Sequence, residues 1–562
     1  MVNIGPLVNA RSRRAAATAA AALPGQMRGR PSGQLPGRLP WRVRRAVAVC
    51  VPVLVMLGFG FWGLDRGGMW RDEAVTFQVA RRSVPQIWRL LHDVDAVHGL
   101  YYLLMHAVVP LHPGEVVLRL PSLCAAAVTA GLVAELGTRL VRPRVGLWAG
   151  LLYAVSPMAG HYAQEGRSYA LVAAGATAAT LLFVRAVGAV GTAGAVGSVG
   201  SVRVGRAWWA YGAVLSLTCW LHEFAVLLLL AHAASLALAR AGAGLWRAWG
   251  RAAGAVVLTL LPMVLISHAQ SAQLAWLRPP TAETARGLLR TFLGPTDGVY
   301  WACLALAVVG LLGLAGRRGE VTCAGVCLPL AVLPPAALML ASQMSPLYVD
   351  RYVLYALSGA PLLVAAGADR VARTLRRLCA PLSPFPVVPV AGAALITLAV
   401  VHQLPLLSAD RVPGHRPDDL AAVSRAAARQ AAPGEPVLFL PAAERNVALT
   451  YPGTFRGARD VALAVPGPES GTLYGRETDA GTLRDRMARL DRVWVVADRS
   501  MLTGRRRPGA AVERAKLALL AERFVPVRES VSGDMAVRLY VRGPAVSGSP
   551  GSPPVPPRPA RR

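Results

Sequence analysis

The sequence predicts an α-helical polytopic membrane protein of about eleven transmembrane helices, carrying a small C-terminal extracytoplasmic α/β domain. Three observations predict it. The chain has 562 residues and is 54% hydrophobic, which excludes a purely soluble protein. Its apolar runs repeatedly approach the ~20 residues that cross a ~30 Å hydrocarbon core. Between those runs the connections are alternately rich in arginine and in carboxylates, as the positive-inside rule requires.

In chain order, the first 46 residues hold nine Arg and no acid, so 1–45 reads as a disordered cytoplasmic segment. The apolar run 46–64 ends in FWGLDRGG without a small-x-small cleavage site, so it reads as a signal anchor. The pair Arg44-Arg45 lacks the context of a twin-arginine signal. Residues 65–115 then form the first extracytoplasmic loop. The next run, 116–140, returns inward and ends at Arg139, Arg142 and Arg144.

Further helices are expected near 145–160, 168–187, 207–221, 224–239, 252–268, 299–315, 321–342, 352–368 and 387–407, so the transmembrane domain spans 46–407. The stretch 99–111 reads either as a crossing or as an interfacial helix. Inner connections carry Arg203 and Arg206, then Arg240, Arg247 and Arg251, then Arg317 and Arg318, then Arg370, Arg373, Arg376 and Arg377. Outer ones carry Glu165, Glu223, Glu283, Asp297 and Asp350. The Gly/Ala/Val-rich stretch 188–205 has no preceding strand and reads as a flexible cytoplasmic loop, not a phosphate-binding turn.

An odd number of crossings places 408–542 outside. There PDDLAAVSRAAARQ reads as a capped helix, EPVLFLP and RVWVVAD as buried strands, 511–523 as a helix and MAVRLYVR as an edge strand. A disordered Pro/Ser/Gly tail follows over 543–562.

The net charge of +30 arises from 60 basic and 30 acidic residues. Of the basic residues only Lys516 is lysine, and the arginines flank apolar runs, so the charge reports topology and no nucleic acid partner is expected. The seven cysteines are odd in number and lie in or beside apolar segments, which suits small buried hydrophobes.

Five segments could carry chemistry. WRDEA at 70–74 sets Asp72 and Glu73 just beyond the first helix. A carboxylate partly desolvated at a bilayer surface is a better base than one in bulk water, and a pair of solvated loop charges is the competing reading. Residues 92–122 bring Asp95, His98 and the amphipathic, aromatic stretch holding Tyr101 and Tyr102, which would lie at headgroup depth. His92, His98, His106 and His112 are spaced too widely to share one helical turn as metal ligands.

SPMAGHYAQEGRSYAL delivers His161, Gln164, Glu165, Arg167 and Tyr169 to one helix end, where ordinary end-capping competes with function. His222 and Glu223 separate two apolar helices. Asp350 and Arg351 open a helix on the outer side, where an arginine runs against the charge sorting. An anionic lipid phosphate would give it a purpose, and so would a salt bridge with Asp350.

Taken together, WRDEA, DAVHGLYYLLMH, EVVLRLPS, SPMAGHYAQEGRSYAL and YVDRYVLYAL resemble, in order, the protein O-mannosyltransferase family and its bacterial relatives in the GT-C glycosyltransferase superfamily. The resemblance covers roughly residues 45–370. His98-Gly99 stands where the family has His-Pro-Pro, which marks a divergent subgroup.

The resemblance implies transfer of a hexose, mannose foremost, from a polyprenyl-phosphate-linked sugar to an extracytoplasmic protein, lipid or glycan hydroxyl, with inversion, at the plasma membrane. It implies Asp72 as general base with Glu73 tuning it, and Arg351 and Arg167 on the departing phosphate. Gln164, Glu165 and Tyr169 would line the sugar or acceptor pocket, with His98 at the donor; Asp95, Tyr101, His222, Glu223 and Asp350 complete the expected substrate-binding set. No cofactor is called for, although the carboxylates leave room for a divalent metal.

A transporter or flippase of a lipid-linked envelope precursor would suit the helices equally. Such proteins usually carry ionisable groups near the midplane and internal repeats, whereas here the carboxylates cluster at outer helix ends and no convincing repeat is seen. A sensor anchored by its membrane part would need only one or two helices.

Overall fold

The computed structural model describes residues 40–193, 197–274, 276–314, 316–379, 387–412, 418–430 and 432–543. Most of the N-terminal segment and nearly all of the C-terminal tail expected from the sequence lie outside these residues.

Each apolar run forms a helix. Helix α1 (Trp41–Phe61) is followed by three short helices, α2 (Arg71–Ala80), α3 (Val84–Asp93) and α4 (Gly99–Val108). The bundle continues with α5 (Glu115–Leu140), α6 (Pro143–Ala154), α7 (Pro157–Ala163), α8 (Tyr169–Ala193), α9 (Gly197–Leu221) and α10 (Leu228–Leu238). After α11 (Ala243–Ala269) come α12 (Ala282–Leu293), α13 (Asp297–Gly310), α14 (Cys323–Ala341), α15 (Gly359–Cys379) and α16 (Val387–Ala409).

Among the described residues seven helices are long and apolar enough to cross a membrane, or eight if the bent pair α12–α13 counts as one span, in place of the eleven expected. The chain is a multi-pass membrane protein. The difference has local causes: Ser156-Pro157 breaks the segment expected at 145–160 into α6 and α7, and α10 is entered through the 3-10 turn Glu223–Leu227. The glycine-rich stretch expected to be a loop is helical on both sides, extending α8 to Ala193 and starting α9 at Gly197.

The two ends of the bundle differ in charge. At one end Glu135 on α5 accepts from Arg45 (2.6 Å) and Arg139 (2.6 Å), and buried Asp369 on α15 gathers Arg144 (2.5 Å), Arg373 (3.0 Å) and Arg142 (3.6 Å). The carboxylates named in the sequence lie at the other end. Small residues let the helices approach closely. A Cβ on Gly310 of α13 would overlap the Leu363 carbonyl of α15, and one on Gly367 the Leu306 carbonyl.

The C-terminal domain begins with α17 (Leu420–Ala428), capped by Asp419, whose side chain accepts from Ala422 N–H. Its sheet runs β2 (Arg459–Asp460), β1 (Pro436–Leu440), β5 (Arg492–Asp498), β7 (Met535–Arg542), β6 (Phe524–Ser532). β2, β1 and β5 are parallel, with Val437 opposite Trp494. β5, β7 and β6 are antiparallel, with Arg492 opposite Val541. Strands β3 (Leu463–Val465) and β4 (Arg476–Glu477) pair separately, and helices α18 (Asn446–Thr450), α19 (Gly467–Ser470), α20 (Ala480–Ala488), α21 (Arg499–Leu502) and α22 (Ala511–Arg523) fill the connections.

MAVRLYVR is therefore an interior strand. The edge is FVPVRESVS, because alternation reports one solvated face and not a strand's place in the ladder.

One apolar cluster joins this domain to the first loop. Met69, Phe77, Tyr101, Tyr102 and Met105 pack with Leu420, Val437, Val447 and Trp494. Tyr101 and Tyr102 are thus fully buried, packed beneath the domain.

Candidate active site

The site is built on the first turn of α2. Successive helical residues point about 100° apart, so Arg71, Asp72 and Glu73 leave the turn in three directions. Glu73 turns inward and is fully buried. Its carboxylate is held in bidentate fashion by Arg119 of α5, Nε to Oε1 and Nη2 to Oε2, both 2.9 Å, and also accepts from Gly166 N–H at 2.9 Å. The same guanidinium donates to the carbonyls of Leu64 (2.9 Å), Arg66 (3.1 Å) and Gly68 (3.2 Å), so all of its N–H groups are occupied. Arg119 thereby ties the loop leaving α1 to the base of α2.

Asp72 faces an opening, with 28% of its side chain accessible, and lies 3.5 Å from Nη2 of Arg351. Arg351 enters from the 3-10 turn Asp350–Ser358. Its guanidinium sits 5.7–5.8 Å from the rings of Trp70, Tyr169 and Tyr352, and its Nε donates to Tyr169 Oη at 3.1 Å. Flat aromatic faces hold a cation without neutralising it. The partner of Arg351 is thus Asp72 and not its neighbour Asp350, which caps the Arg351 backbone N–H (2.9 Å) and lines a separate groove of about 490 Å³ with Arg278, Thr284 and Tyr348.

Behind this pair lies Arg167, only 6% exposed. Its Nη2 contacts His98 Nε2 at 2.7 Å and its Nη1 makes long contacts to Thr76 Oγ1 (3.4 Å) and the Asp72 carbonyl (3.5 Å); its Nε has no partner. Among the described residues no carboxylate pairs with it. Burial, then the nearby Arg167, His222 and Arg351, drives the His98 pKa well below its usual value. The imidazole is neutral, and its Nε2 accepts from Arg167. The rings of His222 and Tyr352 stand 4.6 Å apart and complete the wall.

Glu165 is buried, its Oε2 3.6 Å from His161 and its Oε1 without a partner. Burial raises its pKa to about 7. Gln164 is committed to the scaffold: its amide donates to the carbonyls of Gly60 (2.7 Å) and Trp62 (2.9 Å). Asp95 accepts from Tyr102 Oη at 2.8 Å, and Glu223 accepts from Ser267 Oγ at 2.6 Å, on the flank towards α11. Tyr101 is fully buried, and its hydroxyl, without a hydrogen-bond partner among the described residues, lies near Arg167, Glu73 and Glu165. The structure therefore brings together Asp72, His98, Tyr101, Glu165, Arg167, Tyr169, His222 and Arg351, and leaves Asp95, Gln164, Glu223 and Asp350 at its margins.

Among the described residues no three His, Cys, Asp or Glu side chains converge as metal ligands, and Asp72 and Glu73 point apart. Sequence reasoning missed Arg119, Trp70 and Tyr352. Arg119 carried a usable signal, being another arginine at the acidic end.

No family profile and no curated protein sequence matches the chain. Among solved structures, ArnT from Cupriavidus metallidurans in the apo state superposes with a TM-score of 0.56 at 12% identity, covering 88% of this chain and 97% of that one. The chain has the GT-C fold. The same protein bound to undecaprenyl phosphate gives a TM-score of 0.53 over the same coverage. The coverage extends the GT-C likeness beyond the segment in which the sequence motifs were found.

Proposed function

We propose that this chain is a membrane glycosyltransferase that moves a hexose, mannose foremost, from a polyprenyl-phosphate-linked donor to an acceptor hydroxyl, with inversion. The observation that carries the proposal is the pairing of an accessible carboxylate, Asp72, with a caged guanidinium, Arg351, in front of a buried arginine, Arg167, that pairs with no carboxylate among the described residues. A phosphate is the ligand such arginines suit. The undecaprenyl phosphate in the ArnT complex is a lipid of the same class as the proposed donor.

The Asp72–Arg351 contact at 3.5 Å is single and long. A donor phosphate that engages Arg351 would release Asp72. The freed carboxylate then takes the acceptor's O–H proton while that oxygen bonds to the anomeric carbon. The bond from the anomeric carbon to the phosphate oxygen breaks, and its electron pair leaves with the lipid phosphate, where Arg351 and Arg167 stabilise the charge as it develops. Neutral His98 orients Arg167 without competing for the phosphate. Glu73 acts through α2 by fixing the turn that bears Asp72.

In this reading the acidic end and the C-terminal domain face outward from a plasma membrane and the arginine-bearing end faces the cytoplasm. A transporter is less well supported. His232, buried along α10, is tied to Tyr211 Oη (2.9 Å) and Thr180 Oγ1 (3.2 Å), and it lies in the bundle apart from the carboxylates and arginines of the site. Mass spectrometry of secreted proteins and envelope glycans from cells with and without this protein tests the proposal: loss of a hexose from one acceptor class supports it, and identical glycan profiles refute it.

A further inference from the structure

The C-terminal domain grips the same turn of α2 from the side opposite Arg119. Trp70, the residue before α2, offers no side-chain cap. The start of the helix is secured from the domain instead. Met69 N–H donates to Tyr451 Oη (2.9 Å), which donates to Glu115 (2.7 Å), and Asn446 Nδ2 reaches the Arg71 carbonyl at 3.5 Å.

Arg71 leaves the turn towards the domain, its Nη2 3.1 Å from Glu444 Oε1 and its Nε 3.5 Å from Asp418 Oδ2. Glu444 is 1% exposed. Two turns along α2, Gln78 Nε2 donates to Thr450 Oγ1 (2.9 Å) and to the Asn446 side-chain carbonyl. The fit has no slack at Gly68, where an added Cβ would lie 2.5 Å from Ala421 Cβ and 2.9 Å from Asp419 Oδ1.

Glu444 and Asn446 follow β1, at the carboxyl end of the parallel strands β1 and β5. Open α/β sheets bind their ligands at that edge. Here the edge is filled by Arg71 of the same chain.

We propose that the C-terminal domain is a working part of the active site, holding Arg71 through Glu444 and Asp418 and so setting where Asp72 points. Glu444 and Arg71 are positioning residues. The inference rests on the reading of Asp72 as the base. Clamped between Glu73–Arg119 on the bundle side and Arg71–Glu444 on the domain side, the turn leaves Asp72 one direction, towards Arg351.

The test uses the full chain in proteoliposomes with polyprenyl-phosphate-mannose, comparing wild type, Glu444→Gln, Arg71→Met, the double variant and Asp72→Asn. A displacement of about 1 Å at a reacting group lowers rate roughly 10²-fold. Each single clamp variant is expected to lower kcat about ten- to hundred-fold with donor KM within about twofold, the double variant losing no more than either single one. A kcat per folded molecule within about twofold of wild type overturns the proposal, as a merely structural role would give.

Hydrogen exchange of the amides of residues 70–75 supplies a readout independent of any sugar. Faster exchange in Glu444→Gln supports the clamp, and unchanged protection overturns it. Full activity of Asp72→Asn would remove Asp72 as base while leaving the exchange result to judge the clamp.

Discussion

Replacing Arg119 with methionine keeps the length of the side chain and removes every hydrogen bond it makes. The substitution leaves the fully buried Glu73 carboxylate without its cation and strips a donor from the carbonyls of Leu64, Arg66 and Gly68. Breaking a buried ion pair by removing one partner costs about 3–5 kcal/mol, and the orphaned carbonyls place this case at the upper end. Removing the charge as well, in Arg119→Met with Glu73→Gln, should recover most of the loss, because a neutral amide oxygen can still accept from Gly166 N–H.

Thermal unfolding in detergent, followed with a thiol-reactive dye that reports exposure of the buried Cys219, Cys303, Cys323 and Cys327, measures both variants. The expected order is wild type, then the double variant, then Arg119→Met well below. A single variant that melts with wild type, or a double variant no better than the single one, would refute the assignment of this pair as the anchor of α2.

Other outcomes follow from the same geometry. Arg351→Lys keeps the charge but loses the planar fork that lies among Trp70, Tyr169 and Tyr352, so transfer should fall on the order of 10²-fold in steady-state assays, and unchanged kcat/KM would remove Arg351 from the phosphate site. Burial raises the Glu165 pKa from 4.5 to about 7. A carboxyl raised on folding stabilises fully below its unfolded value and loses that contribution as pH rises through the folded one. Stability should therefore decline between about pH 4.5 and 7, by an amount of order 3 kcal/mol, and Glu165→Gln should flatten that decline in melts across the range. Equal slopes in the two proteins would show that Glu165 does not titrate there.

Much of this was readable before the structure. The charge sorting separates the two ends of the bundle, and the WRDEA segment forms the first turn of α2, from which Asp72 meets Arg351. Composition and spacing do not separate Asp72 from Glu73, however; the resemblance alone named Asp72 as base, and the helix start at Arg71 is what sends Asp72 to the opening and Glu73 to Arg119. Arg119 stands within EVVLRLPS at the start of an apolar run, and it breaks the charge sorting as Arg351 and Arg167 do. The burial of Tyr101 and Tyr102 was not legible because the segments that cover them, 420–451, lie more than 300 residues along the chain. Of the two purposes the sequence left open for Arg351, the salt bridge with Asp350 does not form, because the turn points the Asp350 side chain to a backbone N–H and Arg351 meets Asp72 instead.

The central claim, that Asp72 is the base of a lipid-linked sugar transfer, is met most directly by one measurement. Purified wild type and Asp72→Asn are reconstituted side by side with polyprenyl-phosphate-mannose and an envelope extract as acceptor, and mannose incorporation is followed. Transfer by wild type, lost by at least about 10²-fold in a variant that folds and melts normally, is the predicted result. Equal incorporation by the two proteins would contradict it.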